Sequence, residues 1–417
     1  MTRFHAALLF CLAPLVAVAV TVRELPSPAG PGALGSSLNA TPDGSVLLSW
    51  LEPRAGERDS WQLKFSRLDA VALRWSEPRT IAGGTGWFVN WADFPSVTPL
   101  GNGHLLAIWF VENQPAAGAT GDHGDGYRAV TSLSADDGQI WCDPQPLTGE
   151  SGATEFAAAL PLGRNERALV AWLDGRQRSA PDHGHGQGHD HSAGDAQALY
   201  AQTLLASGPD RKVDGSVCDC CQLSLVRVGG EALLAYRGRT AGEVRDIRLA
   251  RWRDGEWSAP RMLHDDGWEI AACPVNGPRL AAHGRTVAAI WFTGAQGRPR
   301  VQAKLSTDGG ETFGPAHRLD LGRPQGRVDA VVLPDGRAVL TWLENRPRDG
   351  TTNAGGLYLR QLDAAGQLGE PVLLADSSTA RASGFPRLAV LGDGRLVLSH
   401  TLAGPTSRVA TLLLDLK

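Results

Sequence analysis

The sequence predicts an all-β chain that folds as a β-propeller with seven four-stranded blades, closed by a strand near its N-terminus. One unit recurs seven times along the 417 residues, at intervals of 51 to 64 residues. Each copy contains alternating apolar runs joined by tight turns, and the chain is rich in turn residues, with 50 Gly and 26 Pro. Four strands per unit at this period are typical of a propeller. A ring of six blades is the alternative.

A repeated aromatic position defines the units. In six of them an aromatic residue closes a short apolar run, and a histidine stands in the equivalent place in the seventh. A turn residue lies six positions earlier, and it is glycine in five units. The alternation and the turn together predict that each unit opens with a β-hairpin. The seven positions are Trp50, Trp109, Trp172, Tyr236, Trp291, Trp342 and His400.

A second hairpin is predicted from the pattern Ser-x-Asp-x-Gly-x-x-aromatic, which occurs at residues 134–141 (SADDGQIW) and 306–313 (STDGGETF). We expect the Asp side chain to cap the turn, the Gly to adopt a left-handed conformation and the aromatic ring to pack between units. The pattern resembles the Asp-box of sialidase-type β-propellers. The box is structural, so it indicates a fold and not an activity.

The two ends of the chain are expected to meet. The last unit contains three evident strands, and residues 20–26 can supply the missing outermost one. Residues 1–19 have the features of a signal peptide, namely Arg3, an apolar run and the small-x-small sequence Ala17-Val18-Ala19. An uncleaved anchor is the alternative. We therefore expect one propeller domain over residues 20–417 in a secreted or periplasmic protein.

Composition limits the partners. The formal charge is −4 and no long basic run occurs, so nucleic-acid binding has no support. No segment after the leader has the length and apolar character of a membrane span, so none is expected after cleavage. We expect a monomer that binds a small molecule, a metal ion or a glycan at the mouth of the axial channel.

Cysteine usage is the most unusual feature of the chain. Cys218, Cys220 and Cys221 lie in VCDCCQ, the crossover from the third unit into the fourth, and Cys273 lies in the equivalent crossover into the fifth. Crossovers lead to the innermost strands, so these four cysteines should meet near the channel mouth. Cys142 starts an outer strand and should lie apart from them. An odd number of mature cysteines leaves at least one free, metal-bound or paired between chains.

The metal hypothesis is that two or three of the four crossover cysteines bind copper or zinc, which accept thiolate ligands. Histidine-rich loops would deliver ions or complete the site, or are solvated loops with incidental metal affinity. The chain has only 2 Met, which excludes a methionine-rich copper site. The alternative is a disulfide from Cys218 or Cys221 to Cys273. The histidines are His183, His185, His189 and His191 in DHGHGQGHDH, and His123 in the second unit.

Several arginines need an explanation. Arg237 stands where other units have an apolar residue, so it requires an acidic partner or an anionic ligand, and Asp246 is the candidate partner. A structural ion pair is the preferred interpretation. The motifs WLEPR, WLDGR and WLENR place three more arginines at the channel mouth, suited to a substrate carboxylate or simply to a repeated salt bridge. These three are Arg54, Arg176 and Arg346.

Aromatic residues are expected on the same face. The crossover WFVNWADFP contains Trp87, Trp91 and Asp93. Exposed rings there would suit a sugar or a protein partner.

The mature chain as a whole resembles exported bacterial sialidase-like (BNR-repeat) β-propeller proteins. The motifs CDCCQ, YRGR with RDI, HDDGW, and CPVNGP followed by AIWFT resemble one subgroup of them. The resemblance implies the propeller and export. Sialidase chemistry uses a tyrosine nucleophile, a glutamate and an aspartic acid, for which Tyr236, Glu269 and Asp93, with Arg237, are the candidates.

Catalysis is not the favoured hypothesis, because Tyr236 stands at the repeated aromatic position and the Arg-Ile-Pro motif of sialidases is absent. Three functions follow. The first is a Cys/His metal centre for metal handling or a redox step. The second is an exo-sialidase-type glycosidase or a protein that binds acidic glycans. The third is a non-catalytic interaction platform held by disulfides.

Overall fold

The structure is a computed structural model that describes residues 20–113, 126–149, 153–163, 167–177, 196–205, 208–348 and 352–416. Residues 1–19 lie outside these ranges, as do the loops that carry His123, His183, His185, His189 and His191. Nearly all regular structure in the described ranges is β-strand, with two single-turn 3₁₀ helices at Ala295–Gly297 and Arg381–Ser383. Among the described residues, no helix has the length and apolar character needed to cross a bilayer.

The strands follow the repeat. The first is β1 (Val20–Leu25), and the first unit then contains β2 (Leu34–Ala40), β3 (Val46–Pro53), β4 (Trp61–Leu68) and β5 (Arg79–Gly84). The second contains β6 (Ser96–Gly101), β7 (His104–Glu112), β8 (Tyr127–Ser134) and β9 (Gln145–Pro146). The third contains β10 (Thr154–Pro161), β11 (Ala168–Asp174), β12 (Gln197–Leu204) and β13 (Arg211–Val217).

The remaining units continue in the same way. The fourth contains β14 (Ser224–Val228), β15 (Glu231–Arg237), β16 (Ile247–Arg253), β17 (Glu256–Trp257) and β18 (Arg261–Met262). The fifth contains β19 (Arg279–His283), β20 (Thr286–Thr293), β21 (Arg300–Ser306) and β22 (His317–Arg318). The last two contain β23 (Pro324–Val332), β24 (Ala338–Asn345), β25 (Ala354–Leu362) and β26 (Val372–Ser378), then β27 (Arg387–Val390), β28 (Leu396–Leu402) and β29 (Arg408–Leu416).

The strands of the described ranges form six hydrogen-bonded sheets. Five are separate and have the size of a propeller blade, four with four strands and one with five. The sixth holds eight strands, β6 to β13, in which two antiparallel groups are joined by a parallel pairing of β8 with β10, where Arg128 lies opposite Thr154. The chain is therefore an all-β propeller with five blades as separate sheets.

The first strands of the units form a closed ring. Contacts run from β2 to β6, β10, β14, β19, β23 and β27 in turn, and β27 contacts β2. At the rim, β1 pairs antiparallel with β29, from Val20 opposite Leu416 to Leu25 opposite Thr411. The expectation that the N-terminal strand completes the last unit is confirmed.

The repeated aromatic residues lie on the second strand of each unit, and all seven side chains are buried. In three units the indole N–H donates to the carboxylate two residues later, at 2.7 or 2.8 Å. A buried indole N–H usually finds a hydrogen-bond acceptor. In WLE and WLD the acidic residue accepts this bond from the tryptophan two positions earlier. The pairs are Trp50–Glu52, Trp172–Asp174 and Trp342–Glu344.

Both Asp-box turns have the expected geometry. In the first, Ser134 Oγ donates to Asp136 at 2.8 Å and accepts from the N–H of Gly138 at 2.9 Å. Gly138 has a φ of 78°, which a side chain would strain. The ring of Trp141 meets Phe65 of the preceding unit edge-on, with centroids 5.9 Å apart. The turn at residues 306–313 repeats the serine contacts.

A cavity of about 260 Å³ lies on the propeller axis and is lined by the first strands of six units. Its lining also includes Asp93 and Phe94 of the crossover at residues 87–95 and Gln222 of the cysteine crossover. The cysteine crossover therefore reaches the axis, as the repeat predicts.

Candidate metal centre

The six-residue crossover CDCCQL joins β13, the outermost strand of the third unit, to β14, the innermost strand of the fourth. Because this connection has only six residues, it must run straight across the end of the fourth unit, from the outermost strand of the third unit to the innermost strand of the fourth. Cys218 N–H donates to the carbonyl of Arg237 at the end of β15, at 3.0 Å, and Val217 bridges to Gly238. These bonds fix the cysteines against the ends of the inner strands.

The sulfurs of Cys218, Cys220 and Cys221 form a compact group, with all three within 4.8 Å of one another. Cys218 Sγ lies 3.4 Å from Cys221 Sγ and 3.7 Å from Cys220 Sγ. Cys218 and Cys221 are each 1% exposed and Cys220 is 9% exposed. All five described cysteines are free thiols.

Cys273 joins the group from the next crossover. Its sulfur, the sulfur of Cys220 and a carboxylate oxygen of Asp219 lie within 4.8 Å of one another. Cys273 is exposed, unlike the other three. Its closest thiol partner is thus Cys220, not Cys218 or Cys221, which corrects the disulfide pairing considered from the sequence.

A glycine allows the two crossovers to approach. A Cβ on Gly277 would lie 2.1 Å from the carbonyl oxygen of Gln222, so only glycine fits without moving the backbone. The Gly277 N–H also donates to Gln222 Oε1 at 2.9 Å. The motif CPVNGP therefore combines a cysteine ligand with the glycine that brings it near CDCCQ.

Two buried arginines compensate the charge of this group. Arg245, 0% exposed, donates to Cys218 Sγ at 3.4 Å and lies 3.5 Å from Asp219 and 2.8 Å from Glu243. Burial by itself would raise the pKa of the Cys218 thiol, but hydrogen bonds to Cys220 and Cys221 and the charges of Arg237 and Arg245 hold that pKa well below its usual value.

The neighbouring thiols shift in the opposite direction. Hydrogen bonds to Cys218, Cys221 and Cys273 raise the pKa of the Cys220 thiol. Burial raises the pKa of the Cys221 thiol. The thiolate form is therefore favoured at Cys218 and disfavoured at Cys220 and Cys221. A bound cation would favour deprotonation of the others.

Arg237 has different partners from those expected. Its guanidinium donates to the carbonyls of Asn276 at 2.8 Å, Phe292 at 2.8 Å and Arg245 at 2.6 Å, and it stacks over Trp268. Asp246, the partner predicted from the sequence, instead accepts from the backbone N–H groups of residues 267 and 268. Arg237 thus fastens the crossover of the fifth unit to the fourth unit, close to the cysteines.

The arginines of WLEPR, WLDGR and WLENR each pair within their own unit. Only WLDGR has the acid–arginine bridge inside the motif, and there Asp174 accepts from both Trp172 and Arg176. Asp376, the partner of Arg346, lies on the outermost strand β26, away from the axis. The pairs are Arg54–Glu57 at 3.0 Å, Arg176–Asp174 at 2.7 Å and Arg346–Asp376 at 2.8 Å.

The tryptophans of the crossover at residues 87–95 are packed, which corrects the expectation of exposed rings. Trp87 is 9% exposed and stacks on Trp109. Trp91 is partly buried, stacks on Phe385 and lies under the guanidinium of Arg327. The two rings belong to different hydrophobic clusters, Trp87 with residues of the first and second units and Trp91 with Phe385.

The candidate catalytic residues contact separate partners. Tyr236 is buried and donates to Asp214 at 2.9 Å, while Glu269 is exposed. Asp93 is buried and accepts from Tyr127 at 2.8 Å, and burial raises its pKa well above the usual value. Tyr127 is a partner that the sequence did not suggest, because it reads as an ordinary first residue of a strand.

The structure describes Cys142 but not the five histidines proposed as metal ligands. His123, His183, His185, His189 and His191 lie outside the described residues. Cys142 is exposed in the second unit, where its N–H donates to the carbonyl of residue 133, and it belongs to neither sulfur group.

Similarity to known proteins is confined to the fold. No protein-family model matches the chain, and no curated protein matches it. Among solved structures, the polysaccharide lyase Uly1 is 9% identical with a TM-score of 0.53, over 92% of this chain and 90% of the lyase. A protein of unknown function from Dyadobacter fermentans is 17% identical with a TM-score of 0.49, over 78% and 94%.

The endosialidase of phage phi92 is 8% identical with a TM-score of 0.47, over 95% of this chain and 69% of the endosialidase. At these identities, the similarity to the lyase is evidence of a common architecture along nearly the whole chain. The chain is a β-propeller similar in fold to the polysaccharide lyase Uly1.

Proposed function

We propose that this protein binds a copper or zinc ion through the thiolates of Cys218, Cys220 and Cys221, for metal handling or a redox step. The observation that carries the proposal is three buried sulfurs, all within 4.8 Å of one another, on a six-residue crossover.

The sulfur separations suit a metal better than a disulfide. At a metal–sulfur bond of about 2.3 Å, two sulfurs in a tetrahedral site are about 3.8 Å apart. The separations of 3.4 and 3.7 Å are close to that value. A disulfide requires sulfurs about 2.05 Å apart. Small side-chain rotations would therefore complete a metal site.

Charge supports the same assignment. Three thiolates and Asp219 carry negative charge that a bound cation and the guanidinium groups of Arg245 and Arg237 would balance. All-sulfur ligands favour Cu(I) and Zn²⁺ among common ions. The loop histidines would deliver ions to this site.

The setting of the site is also part of the proposal. We infer that the eight-stranded sheet consists of two blades, because a single pair of described residues joins its halves, and that the ring therefore has seven blades. We further infer that residues 1–19 direct export and that the mature protein carries no membrane span. We also infer that it is a monomer and that it belongs to the CDCCQ/CPVNGP subgroup of sialidase-like propellers.

Binding or cleavage of an acidic glycan is the second candidate. Its support is the similarity in fold to a polysaccharide lyase along nearly the whole chain. The pairing of Arg54, Arg176 and Arg346 within their own units counts against a shared carboxylate site. A non-catalytic platform held by disulfides is the third.

The test is metal content by elemental mass spectrometry on exported, untagged protein. We expect about one copper or zinc per chain, lost in the Cys220→Ser, Cys221→Ser double variant. Cys142→Ser, which removes an exposed cysteine outside the group, is the matched control and should keep the metal. A variant lacking residues 182–191 should also keep it. Metal-free protein whose thiols react only after reduction would establish the disulfide platform instead.

A further inference from the structure

The four crossover cysteines form two ligand sets that share one residue. The inner set is Cys218, Cys220 and Cys221, and the outer set is Asp219, Cys220 and Cys273. In each set the ligand atoms lie within 4.8 Å of one another. Cys220 Sγ belongs to both, so an ion can remain bound to it while the other two ligands change.

Solvent exposure decreases from Cys273 through Cys220 to Cys218 and Cys221. Cys273 is exposed, Cys220 is 9% exposed, and Cys218 and Cys221 are each 1% exposed. A metal carrier in solution can touch Cys273, but it cannot reach the sulfurs of Cys218 or Cys221 in this conformation. The inner set therefore needs an intermediate ligand.

We propose that Asp219, Cys220 and Cys273 form a second, exchangeable metal position through which the ion enters and leaves the inner set. This proposal rests on the metal-binding function proposed above. The donor is a soft-metal carrier that holds its ion through thiolate or similar exchangeable ligands.

Entry proceeds by ligand exchange without any change in oxidation state. Asp219, Cys220 and Cys273 bind the ion as the donor's ligands leave, and Cys218 and Cys221 then replace Asp219 and Cys273. In this second step one metal–oxygen and one metal–sulfur bond break as two metal–sulfur bonds form. Each thiol that becomes a ligand releases its proton to solvent, the departing Cys273 thiolate takes one up, and Asp219 leaves as the carboxylate.

Arg245 connects the two positions. Its guanidinium lies 3.4 Å from Cys218 Sγ in the inner set and 3.5 Å from Asp219 in the outer set. Arg245 is thus within reach of a ligand from each set, so it can compensate the negative charge of either ligand as the ion moves. Gly277 keeps Cys273 close to the inner set, because its lack of a side chain allows the crossover of Cys273 to lie against Gln222.

The experiment measures the rate of metal uptake by reduced, metal-free full-length mature protein. The donors are the bicinchoninate complex of Cu(I) and the 4-(2-pyridylazo)resorcinol complex of Zn²⁺, whose colour changes on release of the ion. Variants are Cys273→Ser, Cys273→His and Cys142→Ser. Circular dichroism and thermal unfolding establish that each variant is folded, as expected for two exposed positions.

We expect wild type and Cys142→Ser to take up about one ion at equal rates, and Cys273→Ser to reach the same stoichiometry at least about tenfold more slowly, a factor of the size seen when a supporting group of a metal site is lost. Cys273→His, which restores a metal ligand, should recover part of the rate. A purely structural role for Cys273 would not produce this rescue.

Two results would disprove transfer of the ion through the outer set while leaving the proposed inner metal site intact. Uptake by Cys273→Ser as fast as wild type would show that the outer position is not used. Loss of all binding in Cys273→Ser would make Cys273 a permanent ligand. If wild type itself takes up neither ion, the proposed metal-binding function is wrong, and so is the transfer through the outer set.

Discussion

The guanidinium of Arg245 donates to the sulfur of Cys218 across 3.4 Å, in a position where neither side chain is more than 1% exposed. A buried arginine next to a buried thiol stabilises the thiolate, because the charge on sulfur is then paired in a poorly solvated environment. The same arginine pairs with Glu243 at 2.8 Å, which fixes its orientation. Arg245 is therefore a positioning residue for the cysteine group.

Replacing Arg245 should weaken metal binding without removing a ligand. In Arg245→Met the Cys218 thiolate loses its charge partner, so we expect the dissociation constant for Cu(I) or Zn²⁺ to rise by about tenfold or more. Competition against a coloured chelator measures this change. Arg54→Met, at an exposed arginine, is the control and should bind as wild type. Equal affinities for both variants would contradict the role assigned to Arg245.

Arg237 should be more important for stability than for binding an external ligand. Arg237→Leu leaves the carbonyls of Asn276 and Phe292 without their donor, and we expect the free energy of unfolding to fall by about 3 kcal/mol. Arg54→Leu removes an exposed ion pair and should cost less than about 1 kcal/mol. Urea unfolding measures both. A stable Arg237→Leu protein with lost ligand binding would instead favour an anion site.

Gly277 should control the distance between the two crossovers. In Gly277→Ala the new Cβ would meet the backbone of Gln222 at 2.1 Å, so the segment carrying Cys273 must move. We expect a loss of about 1–3 kcal/mol in stability and slower metal uptake through the outer position. Gly215→Ala on β13 has open space around it and is the matched control. Thermal unfolding and the uptake assay would show whether the two glycines differ.

His400 should make the protein sensitive to acid. Burial lowers its pKa to about 4, and among the described residues its Nδ1 has no hydrogen-bond partner. The neutral form is therefore favoured in the folded state, whereas an unfolded histidine titrates near 6.5. This stability is complete above about pH 6.5 and is lost as the pH falls towards 4, with a total of about 3 kcal/mol.

The substitution His400→Phe keeps an aromatic ring at the repeated position and removes the titrating group. Between pH 7 and pH 4.5 it should lose less unfolding free energy than wild type does. Urea titrations at both pH values test this. Parallel losses in the two proteins would mean that other groups dominate the acid response.

The sequence by itself determined the local architecture. The aromatic repeat, the alternation and the glycine turns predicted the hairpins, the Asp-box geometry and the strand that joins the N-terminus to the last unit. These features depend on neighbours along the chain and on a periodic burial pattern, so they can be identified without knowing the packing. The repeat also indicated that the crossovers carrying Cys218 and Cys273 lead to adjacent inner strands.

Only the tertiary structure decided which side chains meet. The sequence could not select Cys220 over Cys218 or Cys221 as the neighbour of Cys273, because that choice depends on the close approach at Gly277. It assigned Asp246 to Arg237, but the Arg237 guanidinium donates to backbone carbonyls, among them that of Asn276 in the next crossover. Long charged side chains have several acceptors of similar energy within reach, and the packing of one unit against the next selects among them.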